Sequence, residues 1–265
     1  MGDSTHIAVV RDGAVLHLSL NRPEVRNAMS LAMVSEIADA MRSAESDGQT
    51  RVVVLRGAGG NFPAGADLKD MAAARARLAA DPAAIVKVNA AFGQLCNAFT
   101  DSGLAIVAVL EGAVMGGGFG LSCVADVVIA SETTVFRLPE TSLGVLPAQI
   151  APFLVERLGY SEAKRLAVTG ARLDAREALA IRLVHQLHAS ADLDAAVQQT
   201  IGDILNCAPG ALAATKALVR KARWSRPADL VQEAAEAFSR AALGPEGIEG
   251  MGAFLQKRKP LWSPP

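Results

Sequence analysis

The sequence predicts an α/β fold with parallel strand pairing, covered at its C-terminal end by a layer of helices. Two observations carry this. Short apolar runs at Val52–Leu55, Ile106–Leu110 and Val127–Ala130 have the length and β-branched character of strands buried on both faces, and helical patterns separate them. After Ser161 strand signals nearly vanish, apart from a short run around Leu183–Leu187, and apolar residues recur at helical spacing.

The elements follow in order. His6–Val10 and Ala14–Leu20 read as a hairpin, with Asp12-Gly13 supplying the turn. Leu31–Met41 is helical, with Ser30 as N-cap and Gly48 past its end. Val52–Leu55 runs into the loop Gly57-Ala58-Gly59-Gly60. The Ala/Arg-rich segment Ala72–Ala80 has no apolar stripe and reads as a mobile helical or loop insert. A helix over Ile85–Phe99 precedes the second strand, and a glycine-rich turn follows it. Helices at Asp192–Leu205, Gly210–Arg223, Pro227–Leu243 and Gly247–Lys257 are each opened or closed by Pro or Gly. The 265 residues divide into a core with the active site over 1–200 and a helical oligomerisation and ligand-covering region over 201–265.

Bulk properties exclude several classes. Residues are 51% hydrophobic and 20% charged, but Gly, Asp or Arg interrupts every apolar stretch before it could span a bilayer. The start, Met1-Gly2-Asp3-Ser4-Thr5-His6, has no basic or apolar leader, and His6 stands where a myristoylation signal needs Ser or Thr; a cytoplasmic protein with no membrane partner is expected. A net charge of -1 offers no basic field for nucleic acid, so any anionic ligand needs local cations. Cys96, Cys123 and Cys207 lack C-x-x-C spacing and read as buried apolar residues. No metal is expected: His185-Gln186-Leu187-His188 alternates like a strand, with no further ligand at useful spacing. Ser122 and Ser142 lack the setting of a hydrolase nucleophile.

Chemistry points to two segments of one design, a buried strand that ends in small residues and enters a helix. These are Val52–Leu55 followed by Asn61–Leu68, and Ile106–Val109 followed by Gly112–Gly120. Small residues let a ligand reach the backbone, and a helix start leaves amides free, so two such amides converging make an oxyanion hole. Asp67 reads as the cap of the helix after Ala66. The glycines lack both G-x-G-x-x-G spacing and a following Lys-Ser/Thr, which excludes dinucleotide and P-loop sites.

Asn21-Arg22-Pro23-Glu24-Val25-Arg26-Asn27-Ala28, Phe62–Met71 and Gly112–Gly118 resemble the three signature segments of the enoyl-CoA hydratase/isomerase (crotonase) family. Pro139-Glu140 with Leu143-Gly144, and Ala253–Pro260, are similar too, so the resemblance runs through nearly the whole chain. It implies a crotonase-like spiral of β-β-α units with the C-terminal helical layer between subunits, as a homotrimer or dimer of trimers. It further implies that the amides of Ala66 and Gly117 hold a thioester oxygen and that the backbone near Val25 and Ala64 receives the adenine. Arg26 and Lys257 or Lys259 then lie near the phosphates, with no cofactor beyond the CoA of the substrate.

Hydratases of the family carry two glutamates; the matching positions here are Gly120 and Glu140, so one carboxylate is present. Glu140 follows Phe136–Pro139, read as extended, with Leu138 and Glu140 facing one way. One base suffices to move a proton between C4 and C2 of a 3-enoyl thioester, whereas hydration needs help in orienting water, for which Gln149 is a candidate. Leu138–Phe153 resembles the branch that hydrates isohexenylglutaconyl-CoA, related to the methylglutaconyl-CoA hydratases. The expectation is hydration of a branched 2-enoyl-CoA; the alternatives are a double-bond isomerase and a non-catalytic acyl-CoA-binding or scaffold protein.

Overall fold

A computed structural model describes residues 6–264; the segment 1–5, on which the leader reading partly rests, lies outside them. Strands β1 (Ile7–Asp12) and β2 (Val15–Leu20) pair antiparallel about Gly13, whose φ of +54° suits a residue without Cβ. Helix α1 (Leu31–Ser46) starts at Ser30, whose Oγ accepts the Met33 amide at 3.2 Å, and Gly48 follows its end. Strand β3 (Val52–Gly57) pairs parallel with β2.

Helix α2 (Leu68–Ala76) occupies the first half of the Ala/Arg-rich segment, and α3 (Ala84–Asp101) precedes β4 (Ala105–Leu110). After β5 (Ala113–Met115) come α4 (Gly117–Val124), β6 (Val127–Ser131) and β7 (Val135–Arg137). Then follow α5 (Ala151–Thr169), β8 (Arg172–Asp174), α6 (Ala175–Ala180) and β9 (Gln186–His188). Sequence patterning did not resolve α5, β8 and α6. Gly159 at φ +76° and ψ +161° breaks the α5 pattern, and three-residue strands show no period.

The main sheet has the order β1-β2-β3-β4-β6-β9, parallel from β2 onward, and β5-β7-β8 form a second small sheet. Alternation along the strands makes two cores. Val53, Leu55, Ile106, Ala108 and Leu110 point into the larger one with α1 and α3, while Val52, Val54, Val107 and Val109 point to the other with Leu193, Val197 and Ile201.

The last three of those residues belong to α7 (Leu193–Leu205), so the division at residue 200 falls inside a helix packed on the sheet. Helices α8 (Pro209–Ala222), α9 (Pro227–Leu243) and α10 (Pro245–Leu255) form the C-terminal layer, each opened by Pro, so the first and last begin one and two residues before the expected Gly210 and Gly247. Arg51, just before β3, donates to the carbonyls of Leu205, Cys207 and Trp262 and so ties this layer to the N-terminal end of the strand. Among the described residues no helix is long and apolar enough to cross a membrane.

Cys96 and Cys123 are buried, and burial pushes the Cys123 thiol up to about 12; Cys207 departs from the expectation and is exposed, because it follows the end of α7. Phe119 of α4 and Phe136 of β7 are fully buried and meet edge to face at 6.2 Å, fixing the helix against the strand that leads to Glu140. Phe136→Ala should therefore cost about 3–5 kcal/mol of unfolding free energy in denaturant titration. A loss under about 1 kcal/mol would show that this contact does not hold the two elements together.

Candidate active site

The site is built where the loops after β3 and β4 meet. A single 3-10 turn, Pro23–Val25, is followed by Arg26 (φ +51°) and Asn27 (φ +54°), which reverse the chain onto the first loop. The fully buried Asn27 side chain donates to the carbonyls of Ala58 (2.9 Å) and Asn61 (2.6 Å) and accepts the Arg22 amide (2.8 Å). Arg22 pairs with Asp67 at 2.8 Å and donates to the Ala28 carbonyl at 2.8 Å. Asp67 also accepts the Lys69 amide at 2.9 Å and caps α2 as expected. Burial opposes its charge, yet the Lys69 amide and Arg22 outweigh that and hold its carboxyl below the usual range.

These straps set the loop backbone. The Ala64 amide donates to the Arg26 carbonyl (3.1 Å), Met29 to Gly65 (2.9 Å), and Asp67 to Met29 (2.9 Å). Val25, Arg26 and Ala64 are thereby brought together, with Val25 and Arg26 exposed. Because residues 65 and 67 both bond to Met29, the Ala66 N–H between them points to the opposite side.

On that side runs the second loop. Met115 donates to the Pro63 carbonyl at 3.0 Å, and a Cβ on Gly118 would stand 2.3 Å from the same oxygen, so only glycine fits. Gly116, at φ +50° and ψ −114°, turns the chain directly into α4, leaving the Gly117 amide as the first of the helix. Among the described residues neither Ala66 nor Gly117 donates a backbone hydrogen bond.

Glu140 arrives from the small sheet, after β7, which pairs with β5 of the second loop. The extended run expected to carry it ends earlier: Pro139 has φ −83° and ψ −5°, and Glu140 opens a 3-10 turn, Glu140–Leu143. The proline ring accounts for this, since it fixes φ and removes the donor a continuing strand would need. The turn aims the carboxylate at the second loop, with Oε1 3.0 Å from the place a Cβ on Gly116 would take. Oε2 is buried without a hydrogen-bond partner. Burial raises the Glu140 pKa above its ordinary 4.5, against the weaker opposing effect of its own backbone amide.

Gln149 lies beside α3, where its amide donates to Asn89 Oδ1 at 2.8 Å. Lys257 and Lys259 are not brought to Val25, Arg26 and Ala64 within one chain. The terminal segment is held at Arg51, at the far end of β3 from the loops, a strand length of roughly 20 Å away. Between them, Arg258 is locked onto Glu249 through both guanidinium nitrogens at 2.6 and 2.8 Å.

His185 Nδ1 accepts the Val128 amide at 2.9 Å, and burial lowers its pKa; Ser122 and Ser142 donate to the carbonyls of Gly118 and Pro139. Sequence reading missed Phe92, which lies against Gly117 and Gly120, and the Arg22–Asp67–Asn27 network. Phe92 shares the spacing of Ile85 and Val88 on α3, a signal that marks a helix face without saying what it covers.

The raised Glu140 pKa carries a stability consequence. A group titrating higher in the folded than in the unfolded state contributes fully below about 4.5, and that contribution is lost as pH rises through its folded pKa. Glu140→Gln should therefore be more stable than wild type at neutral pH, with an advantage that shrinks on acidification. Thermal midpoints for both proteins across pH test this, and an advantage that grows toward acid pH would contradict it.

A family model described as enoyl-CoA hydratase/isomerase matches residues 11–265. The chain is 32% identical to the 2,3-dehydroadipyl-CoA hydratase of Escherichia coli (strain K12), covering 97% of this chain and 98% of that protein. Among solved structures, Pseudomonas aeruginosa AtuE is 49% identical with a TM-score of 0.94, covering 98% of this chain and 100% of that one. An enoyl-CoA hydratase/isomerase from Marinobacter aquaeolei is 47% identical with a TM-score of 0.93, covering 97% and 98%. With the spiral, the two free amides and these matches along its length, the chain belongs to the enoyl-CoA hydratase/isomerase family.

Proposed function

We propose that this enzyme adds water to a 2-enoyl-CoA thioester, with the Ala66 and Gly117 amides on the thioester oxygen and Glu140 as the single acid/base. The observation that carries the reading is the buried, unpartnered Oε2 of Glu140 beside Gly116, where two adjoining loops each leave one amide, of Ala66 and of Gly117, unpaired. A carboxylate left without a partner costs stability, and a reacting proton is what it is placed to accept. Val25, Arg26 and Ala64 receive the CoA, and the acyl group is branched.

The steps follow from these groups. Glu140 takes a proton from water as the water oxygen bonds to C3, the C2=C3 electrons move onto the thioester, and the resulting enolate oxygen rests between the two amides. The proton is then delivered to C2, giving the 3-hydroxyacyl thioester. Each amide of this kind contributes roughly 2.7–4 kcal/mol to the transition state. Gln149 has no part in this scheme, since its side chain is bound to Asn89 and lines the cleft outside Phe92 and Ile150. The second reading is isomerisation of a 3-enoyl thioester, favoured by the Phe92 ring at the place of a second carboxylate, since moving one proton between C4 and C2 needs no water.

Lys257 and Lys259 serve the site of a neighbouring copy in a homotrimer or dimer of trimers. This is supported by their distance from their own site and by exposed Phe238, Leu243, Ile248, Phe254 and Leu255 on α9 and α10. Light scattering at micromolar concentration should give a trimer or hexamer, and a monomer would contradict it.

Ultraviolet absorbance with crotonyl-CoA, 3-methylglutaconyl-CoA and 3-hexenoyl-CoA separates the reactions. Hydration removes conjugation from the first two, and isomerisation creates it in the third. Glu140→Gln should lower kcat by roughly 100- to 10,000-fold while CoA affinity holds. Retention of more than about a tenth of the activity would remove Glu140 from the chemistry. Ala66→Pro deletes one amide and should lower kcat by on the order of 100-fold or more, with CoA binding affected far less. An equal loss of both in a folded protein would place that amide elsewhere.

A further inference from the structure

Gly120 stands where the family's other glutamate would be, and the space beside it is filled. A Cβ on residue 120 would lie 3.0 and 3.1 Å from Cζ and Cε1 of Phe92 and 3.1 Å from Cγ1 of Ile150. The same ring reaches the helix start, 3.6 and 3.7 Å from a Cβ on Gly117. Glu140 meets this helix start at Gly116, so an apolar ring and a carboxylate border neighbouring residues of one amide site.

The residues next in the chain look outward. Gly93 follows Phe92 on α3 and has Gln149 Oε1 2.0 Å from the place of its Cβ; Ile150 follows Gln149. Gly93 and Gln149 line a cleft of about 780 Å³ between α3, α5, α8 and α9, together with Phe153, Glu156, Trp224 and Arg240. Phe92 and Ile150, which border Gly120, thus each adjoin a residue that lines this cleft.

We propose that Phe92 is the specificity-determining residue of this site. Its ring, backed by Ile150, takes the volume a second acid would need and offers an apolar wall that selects 2-enoyl thioesters with an alkyl branch on C3. The inference rests on the hydration reading. With the thioester oxygen held at Gly117, the acyl carbons next to it pass the ring. A wall of this kind cannot hold water by hydrogen bonds but gains contact area with an alkyl group. A side chain on residue 120 would crowd Phe92 and Ile150, and the chain carries a single carboxylate here.

Five variants test it: Phe92→Ala, Gly120→Ala, Gly120→Glu, and each of the two Gly120 changes combined with Phe92→Ala. Thermal midpoints are read for each, with kcat/KM on crotonyl-CoA as the unbranched probe and 3-methylglutaconyl-CoA as the branched one. Phe92→Ala should lower kcat/KM on the branched ester by roughly 10- to 200-fold and on crotonyl-CoA by less than about threefold. Gly120→Glu should lower the thermal midpoint, and adding Phe92→Ala should restore part of the loss, a coupling expected of residues in contact. If Gly120→Glu does not fold, Gly120→Ala provides the milder clash for the same cycle. Equal loss on both esters, or full additivity of the two substitutions in stability, would overturn the proposal. Failure of hydration itself looks different: wild type would convert neither enoyl ester, and the stability cycle would still report whether the ring fills the place beside Gly120.

Discussion

The contact between the Met115 amide and the Pro63 carbonyl, at 3.0 Å, is the constraint on which the rest of the site depends. It joins the loop after β3 to the loop after β4 as if each extended its strand by a few residues, and it requires that nothing bulky stand between them. Gly118 meets that requirement, since a Cβ there would stand 2.3 Å from the carbonyl oxygen, and Gly116 meets it by a conformation closed to residues with a Cβ. The close approach has a chemical result. It brings Gly116 against Gly65, one residue before Gly117 and Ala66; on the proposed reading the two amides are donors fixed in advance, which need no rearrangement when charge develops on an oxygen between them.

Holding such a loop in place takes more than glycine. Arg22, Asn27 and Asp67 form a polar network around its other side, buried fully at Asn27 and partly at the other two, with hydrogen bonds directed at backbone groups of the loop or its flanks. The network is satisfied within itself, as buried polar groups must be. Glu140 is the exception in this region, with one oxygen unpaired and a raised pKa, and that imbalance fits a group placed for reaction rather than for stability.

Much of the fold could be read from the chain because its signals are local. The apolar runs of β3 and β4, the Ser30 cap of α1 and the proline start of α9 each act within a few residues. The strand–loop–helix design of the two amide segments was equally visible. What could not be read depends on contacts far apart in sequence. Phe92 looks like any helix residue until Gly120 and Ile150, 28 and 58 positions on, are seen beside it. The 3-10 turn at Glu140 is set by Pro139 and by the pairing of β7 with β5 and β8, not by alternation. Lys257 and Lys259 matched a pattern that ignores which end of β3 the terminal segment is tied to.

The central claim is that two backbone amides polarise the thioester carbonyl, and vibrational spectroscopy addresses it without turnover. The Glu140→Gln protein, bound to crotonyl-CoA labelled with ¹³C at the carbonyl, isolates that one stretching band. Hydrogen bonds from Ala66 and Gly117 should move the band to lower frequency than in free crotonyl-CoA, and Ala66→Pro in the same background should return part of the shift. A band unchanged on binding, or a shift that survives Ala66→Pro intact, would contradict the account.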